Sequence, residues 1–163
     1  TPSNSSAASD VYKRQEEEII FAATDLLADT KLAPELSNEA HYYRAKAYLD
    51  AGKTDGAMED LKVLAKDTRN VYGAEAKYKV AQIYFDGGQT DKAEQEVLNY
   101  IEVSTPHTYW LARSFVLLAD VYMKLGRNLD AKQYLLSLKQ NYQADDDIAG
   151  MIESRLEKLK TEN

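Results

Sequence analysis

Apolar and small residues fall at three- and four-residue intervals through the stretch Ala74 to Ala93, AEAKYKVAQIYFDGGQTDKA, so that Tyr78, Ala81, Tyr84 and Phe85 share neighbouring faces of one amphipathic helix. Gly87 and Gly88 then end that helix, because glycine alone takes the left-handed conformation at no steric cost. Thr90 is the predicted hydroxyl cap of a second helix, with Asp91 near the positive end of its dipole and Val97 and Tyr100 on its buried face. Ala81 and Ala93 fall on either side of the turn, where small residues let two helices approach closely. The same four points, Ala81, Tyr84, Gly88 and Ala93, recur 36 residues earlier as Ala45, Tyr48, Gly52 and Ala57, and 38 residues later as Ala119, Tyr122, Gly126 and Ala131. A period of this length marks stacked two-helix units.

The flanking segments fit the same scheme. Residues 1–15 are small and polar and are expected to be disordered; SSAASDVYKRQ resembles translated sequencing-adapter read-through, which places them outside the native fold. Glu16 to Asp29 reads as a helix with Ile19, Ala22, Ala23, Leu26 and Leu27 on one side. Its LLADT is echoed by LAKDT at Leu64 to Thr68, so it reads as the second helix of a half repeat over residues 16–31. Repeats follow at about residues 38–70, 74–104 and 106–142. Ser37 or Asn38 is the expected cap of the first of these, and Thr105 with Pro106 the expected start of the last. Residues 144–163 read as a capping helix, introduced by Asp145 to Asp147, with Ile148, Ile152, Leu156 and Leu159 inward.

Small residues at two helix crossing points, an aromatic between them and a glycine in the hairpin form a pattern that resembles the tetratricopeptide repeats, over about Asn38 to Tyr142. The resemblance implies an all-α, right-handed superhelix of antiparallel hairpins: about three repeats with an amino-terminal half repeat and a carboxy-terminal capping helix. The period exceeds the common 34 residues and is similar to the variety seen in Gram-negative envelope proteins of the family. That favours periplasm or cell envelope as the location, with the cytoplasm as the alternative, and implies that this chain is the carboxy-terminal part of a larger protein.

Charge and composition narrow the function. The chain carries 27 acidic and 20 basic residues, a net charge of -7, which gives no electrostatic footing for nucleic acid. No stretch reaches the ~20 apolar residues of a membrane span. Cysteine is absent, so thiolate chemistry and disulfides are too. His41 and His107 stand apart in different repeats and read as surface residues. In the run Asp145 to Asp147, Leu156 stands where a calcium loop needs its bidentate glutamate, so helix capping is the reading. No catalytic residue, metal site or cofactor is expected.

What the resemblance does imply is a binding groove lined by the first helices of successive repeats. Its positions project onto Glu39, Tyr42, Lys46 and Leu49; Glu75, Tyr78, Gln82 and Phe85; and Arg113, Val116, Asp120 and Met123. The lysine and asparagines that clamp a terminal carboxylate in some arrays are not matched, so an extended or helical protein segment held by apolar anchors is the expected partner. The function implied is a non-enzymatic scaffold. Two alternatives are an accessory segment of a larger enzyme and an array that self-associates through its amino-terminal end.

Overall fold

Three glycines with φ between 73° and 77°, Gly52, Gly88 and Gly126, set the hairpins of the protein. Around each, the chain closes the same way. The amide of the following residue, Lys53, Gln89 or Arg127, donates to the carbonyl of Tyr48, Tyr84 or Tyr122 at 2.8 Å, and the glycine amide donates one turn back to Leu49, Phe85 or Met123. This pair of hydrogen bonds to the last turn satisfies carbonyls that the helix leaves orphaned, and it needs a left-handed residue at its centre.

The computed structural model describes residues 4–103 and 105–161, and among them every regular element is a helix. In chain order these are α1 (Asn4–Leu27), α2 (Pro34–Asp50), α3 (Thr54–Leu64), α4 (Val71–Asp86), α5 (Thr90–Glu102), α6 (Thr108–Lys124), α7 (Asn128–Asn141) and α8 (Ile148–Thr161). They form two compact units that divide between Lys66 and Asp67. In the first, α2 packs against both α1 and α3; in the second, α4 pairs with α5, α6 with α7, and α6 also contacts α4, α5 and α8.

The crossing alanines behave as their spacing implies. Ala45 and Ala57, Ala81 and Ala93, and Ala119 and Ala131 are all at most 1% exposed. Where the first helix of a hairpin faces the second one turn away, the chemistry changes from copy to copy. His41 meets Asp60, Lys77 meets Glu96 at 2.7 Å, and Phe115 meets Tyr134 with ring centroids 6.1 Å apart. Each pair is 19 residues apart, so one structural position is filled by a polar pair in two hairpins and an aromatic pair in the third. The core of the second unit is built on Leu117, Leu118, Val97, Leu135, Ile148 and Ile152.

Several local expectations need correction. Residues 4–15 are helical, as the first half of α1, although every described side chain from Ser5 to Gln15 is exposed. No glycine or proline interrupts the run from Asn4 to Leu27, so helix propensity carries α1 past its packed part. Residues 1–3, 104, 162 and 163 lie outside the described residues. Helix α2 starts at Pro34, preceded by Ala33, and not at Ser37 or Asn38, since proline at the first helical position is already set for the turn. Thr90 is the first residue of α5 and its side chain makes no cap. Thr105 does not cap α6 directly: its hydroxyl donates to the Thr68 carbonyl at 2.7 Å and accepts from the His107 amide at 3.1 Å, and the helix begins at Thr108. The acidic run does serve the start of α8, where Asp146 accepts from the Ile148 amide at 2.9 Å.

Candidate functional site

Helix α4 starts on Asn70, whose side chain accepts from the Tyr72 amide at 2.8 Å. That start points Tyr78 towards α6. There its ring stacks on Trp110, with centroids 5.6 Å apart, and the Arg113 guanidinium lies over it at 4.8 Å. Tyr78 is only 7% exposed, and burial pushes its phenol above the ordinary value. A polar chain runs on from it. Arg113 donates to the Tyr78 hydroxyl at 2.8 Å and to Tyr109 at 3.1 Å, Tyr78 donates to Gln82 at 2.9 Å, Gln82 donates to Asp86 at 2.8 Å, and Tyr109 donates to Asp147 at 2.9 Å.

The expected groove is therefore partly filled by the protein itself. Tyr78 and Val116, at 7% and 3% exposure, are core, and Gln82 and Arg113 spend their donors on internal partners. Glu75 is paired with Lys79 at 3.0 Å. Tyr78, projected onto the groove, is thus not an open anchor, whereas Tyr84 is half-buried with Lys92 over its ring at 5.7 Å. The physical reason is Trp110, whose indole covers Tyr78 from α6.

What remains open is the carboxy-terminal half of the same face. Phe85, Asp120 and Met123, three of the projected positions, come together with Lys124 of α6 and with Ser154, Arg155 and Lys158 of α8 around a cleft of about 550 Å³. Cavities of this size take a small ligand or a few residues of a peptide. Phe85 and Met123 are half-buried against the core and form its apolar floor. Arg155 grips Asp120 with two parallel bonds, Nε to Oδ1 at 2.8 Å and an Nη to Oδ2 at 2.9 Å, which neutralises that carboxylate. Lys124 and Lys158 are exposed and have no ion-pair partner among the described residues. The α8 residues were invisible to the repeat pattern, because α8 lacks its glycine and its tyrosine. Their signal is spacing: Arg155 stands 35 residues beyond Asp120, close to one further period.

In the first unit, the projected positions lie along α2. Glu39 and Lys46 are exposed, Tyr42 and Leu49 half-buried, and the Lys46 ammonium sits 5.8 Å from the centre of the Tyr42 ring. Behind them lies a cluster that sequence reasoning missed. Asp60 of α3, 1% exposed, receives Arg44 in bidentate fashion at 2.7 and 2.8 Å, and His41 Nδ1 lies 2.7 Å from its Oδ1. Arg44 also donates to the Thr24 hydroxyl of α1 at 3.1 Å. The bond to Asp60 holds the Arg44 guanidinium above its usual pKa. His41 is thus half-buried and structural, not a surface residue.

Among the described residues, no three His, Cys, Asp or Glu side chains are grouped as a metal would need, and no helix is long and apolar enough to cross a membrane. No curated protein and no solved structure matches the chain. Two tetratricopeptide repeat family models do, over residues 39–67 and 112–141. These segments cover most of α2 with α3 and most of α6 with α7, and the intervening α4–α5 hairpin carries the same glycine closure and buried alanine pair. Such repeats are in general non-enzymatic scaffolds for protein–protein interaction, and this chain carries tetratricopeptide repeats at both matched segments.

Proposed function

We propose that the protein binds a segment of a partner protein in the cleft between α4, α6 and α8. The observation that carries this reading is the open apolar floor of Phe85 and Met123, two of the projected groove positions, rimmed by polar groups. Large apolar side chains in a partly dehydrated depression are the usual energetic centre of such contacts. The closed half of the face, around Tyr78 and Trp110, holds the cleft's shape instead of contacting the partner.

The test is selection of peptides from a displayed random library against the full chain, followed by binding to Phe85→Ala and Met123→Ala. Each substitution is expected to weaken captured peptides by about tenfold or more while the protein stays folded. Peptides that bind both variants as well as the parent would refute the cleft as the binding site.

A second reading has one observation in its favour. Tyr12, Ile19 and Leu26, 64%, 43% and 47% exposed, recur at seven-residue spacing along α1. Such a stripe suits self-association through the amino-terminal helix, which sedimentation of the protein over a concentration series would register as a dimer.

A further inference from the structure

We infer that the cleft selects acidic segments: its preferred occupant is a stretch of partner chain that places a bulky apolar side chain beside one or two carboxylates. This rests on the binding reading above and adds the chemistry of the partner to it. The argument is charge bookkeeping at one place. The protein as a whole carries a net charge of -7, yet the charged groups that line this cleft are Asp120, Arg155, Lys124 and Lys158. Asp120 and Arg155 cancel through their paired bonds, which leaves the two lysines as the uncompensated charge. A cationic spot on an acidic surface draws anionic groups and repels the protein's own kind.

The layout gives each part of such a segment a counterpart. Phe85 and Met123 supply the apolar floor, and the flexible thioether adapts to side chains of different shape. Lys124 stands at the end of α6 and Lys158 in the last turn of α8, so two different helices each bring a lysine to the same depression. The Ser154 hydroxyl donates to the Met151 carbonyl at 3.0 Å, and its oxygen is left to accept from a peptide amide. Both lysines are exposed, so each contact is individually weak and its strength depends on salt.

The probes are twelve-residue peptides from the library selection on the full chain, with a twelve-residue single-stranded thymidine oligonucleotide as the polyanion lacking apolar side chains. Enriched peptides are expected to be net acidic with at least one large apolar residue. A representative is expected to bind about tenfold more weakly to the Lys124→Glu, Lys158→Glu double variant, and to weaken as salt rises from about 0.1 M to about 1 M, where the screening length falls from ~10 Å to ~3 Å. Thermal melting of the double variant, expected to be unchanged for two exposed side chains, excludes a folding effect. Peptides that are neutral or basic, or indifferent to the lysine reversals, yet lost on Phe85→Ala, would overturn the acidic preference and leave the binding cleft standing. An empty selection, or peptides indifferent to Phe85→Ala, would overturn both. Lysine-dependent binding of the oligonucleotide tighter than that of any peptide would overturn the assignment to a protein segment.

Discussion

Asp60→Ala removes the one carboxylate that is fully buried in the first unit and strands the charge that faces it. The side chain is 1% exposed, and its oxygens hold Arg44 by two bonds at 2.7 and 2.8 Å and His41 by a third contact at 2.7 Å. Arg44, with its side chain only 19% exposed, has no second carboxylate within ion-pair distance among the described residues, so its guanidinium is left with the Thr24 hydroxyl alone. Breaking a buried pair from one side costs about 3–5 kcal/mol, mostly from the uncompensated partner. Because the loss falls on α2 and α3, native-state amide exchange in the full chain reads it directly. Protection there is expected to drop by about 10²–10³-fold or more. Two comparisons sharpen the test. Asp67→Ala breaks the pair with Arg69, whose members are 55% and 79% exposed, and is expected to change little. Arg44→Met with Asp60→Leu replaces both charges by apolar groups and is expected to recover much of the loss. If Asp60→Ala leaves exchange of α2 and α3 within threefold of the parent, or the double variant is as loose as the single, the cluster does not hold the unit together.

Four further outcomes follow from the packing. Ala81→Leu or Ala93→Leu forces a larger side chain between helices where exposure is 0% and is expected to cost about 1–3 kcal/mol in urea unfolding, against near neutrality for the exposed Lys92→Leu. Tyr78→Ala should destabilise by about 3 kcal/mol or more, and half-buried Tyr84→Ala by clearly less; equal losses would contradict the coverage of Tyr78 by Trp110. The Tyr142 phenol is pushed up to about 12, first by burial and then by its bond to Asp146, so between about pH 10 and 12 the folded chain holds a proton that the unfolded chain has lost. Stability therefore falls as pH rises through that window, and Tyr142→Phe should flatten the fall in alkaline melts. Deleting residues 1–14 should lower the helical circular-dichroism signal but leave the melting temperature unchanged, because no described side chain there is buried; a drop of several degrees would show otherwise.

The hairpins were legible in the sequence because their determinants are local. A left-handed glycine and two alanines twelve residues apart act through backbone conformation and interhelical distance, and neither depends on what lies elsewhere in the chain. The groove was only half legible. The spacing places Tyr78 on the inner face, but nothing in the spacing shows that Trp110, at the start of the next first helix, folds over it. Asp60 hid for another reason: with Glu59 and Lys62 beside it, it reads as one more surface charge of an amphipathic helix, and its partners lie 16 and 19 residues upstream. Laying the repeats over one another would have found it, since Lys77 and Glu96 occupy the same pair of positions. The wall formed by α8 escaped because a helix can keep the repeat's register while losing every residue by which the repeat is recognised.

That last helix decides the sign of the cleft. With α8 in place, Asp120 is silenced by Arg155, Lys158 adds its charge to that of Lys124, and the depression is cationic. Without α8, the α6 side of the cleft would present a bare carboxylate, Asp120, beside a single ammonium, Lys124, and the cleft would be close to neutral. If the cleft binds as proposed, an element that reads as a lid for the core would also act as an electrostatic selector. Its surface residues would then change which partners are admitted while Ile148, Ile152 and Leu159 continue to seal the core. Under that proposal, partner choice and stability lie on opposite sides of one fourteen-residue helix, and substitutions on one side would alter the first without touching the second.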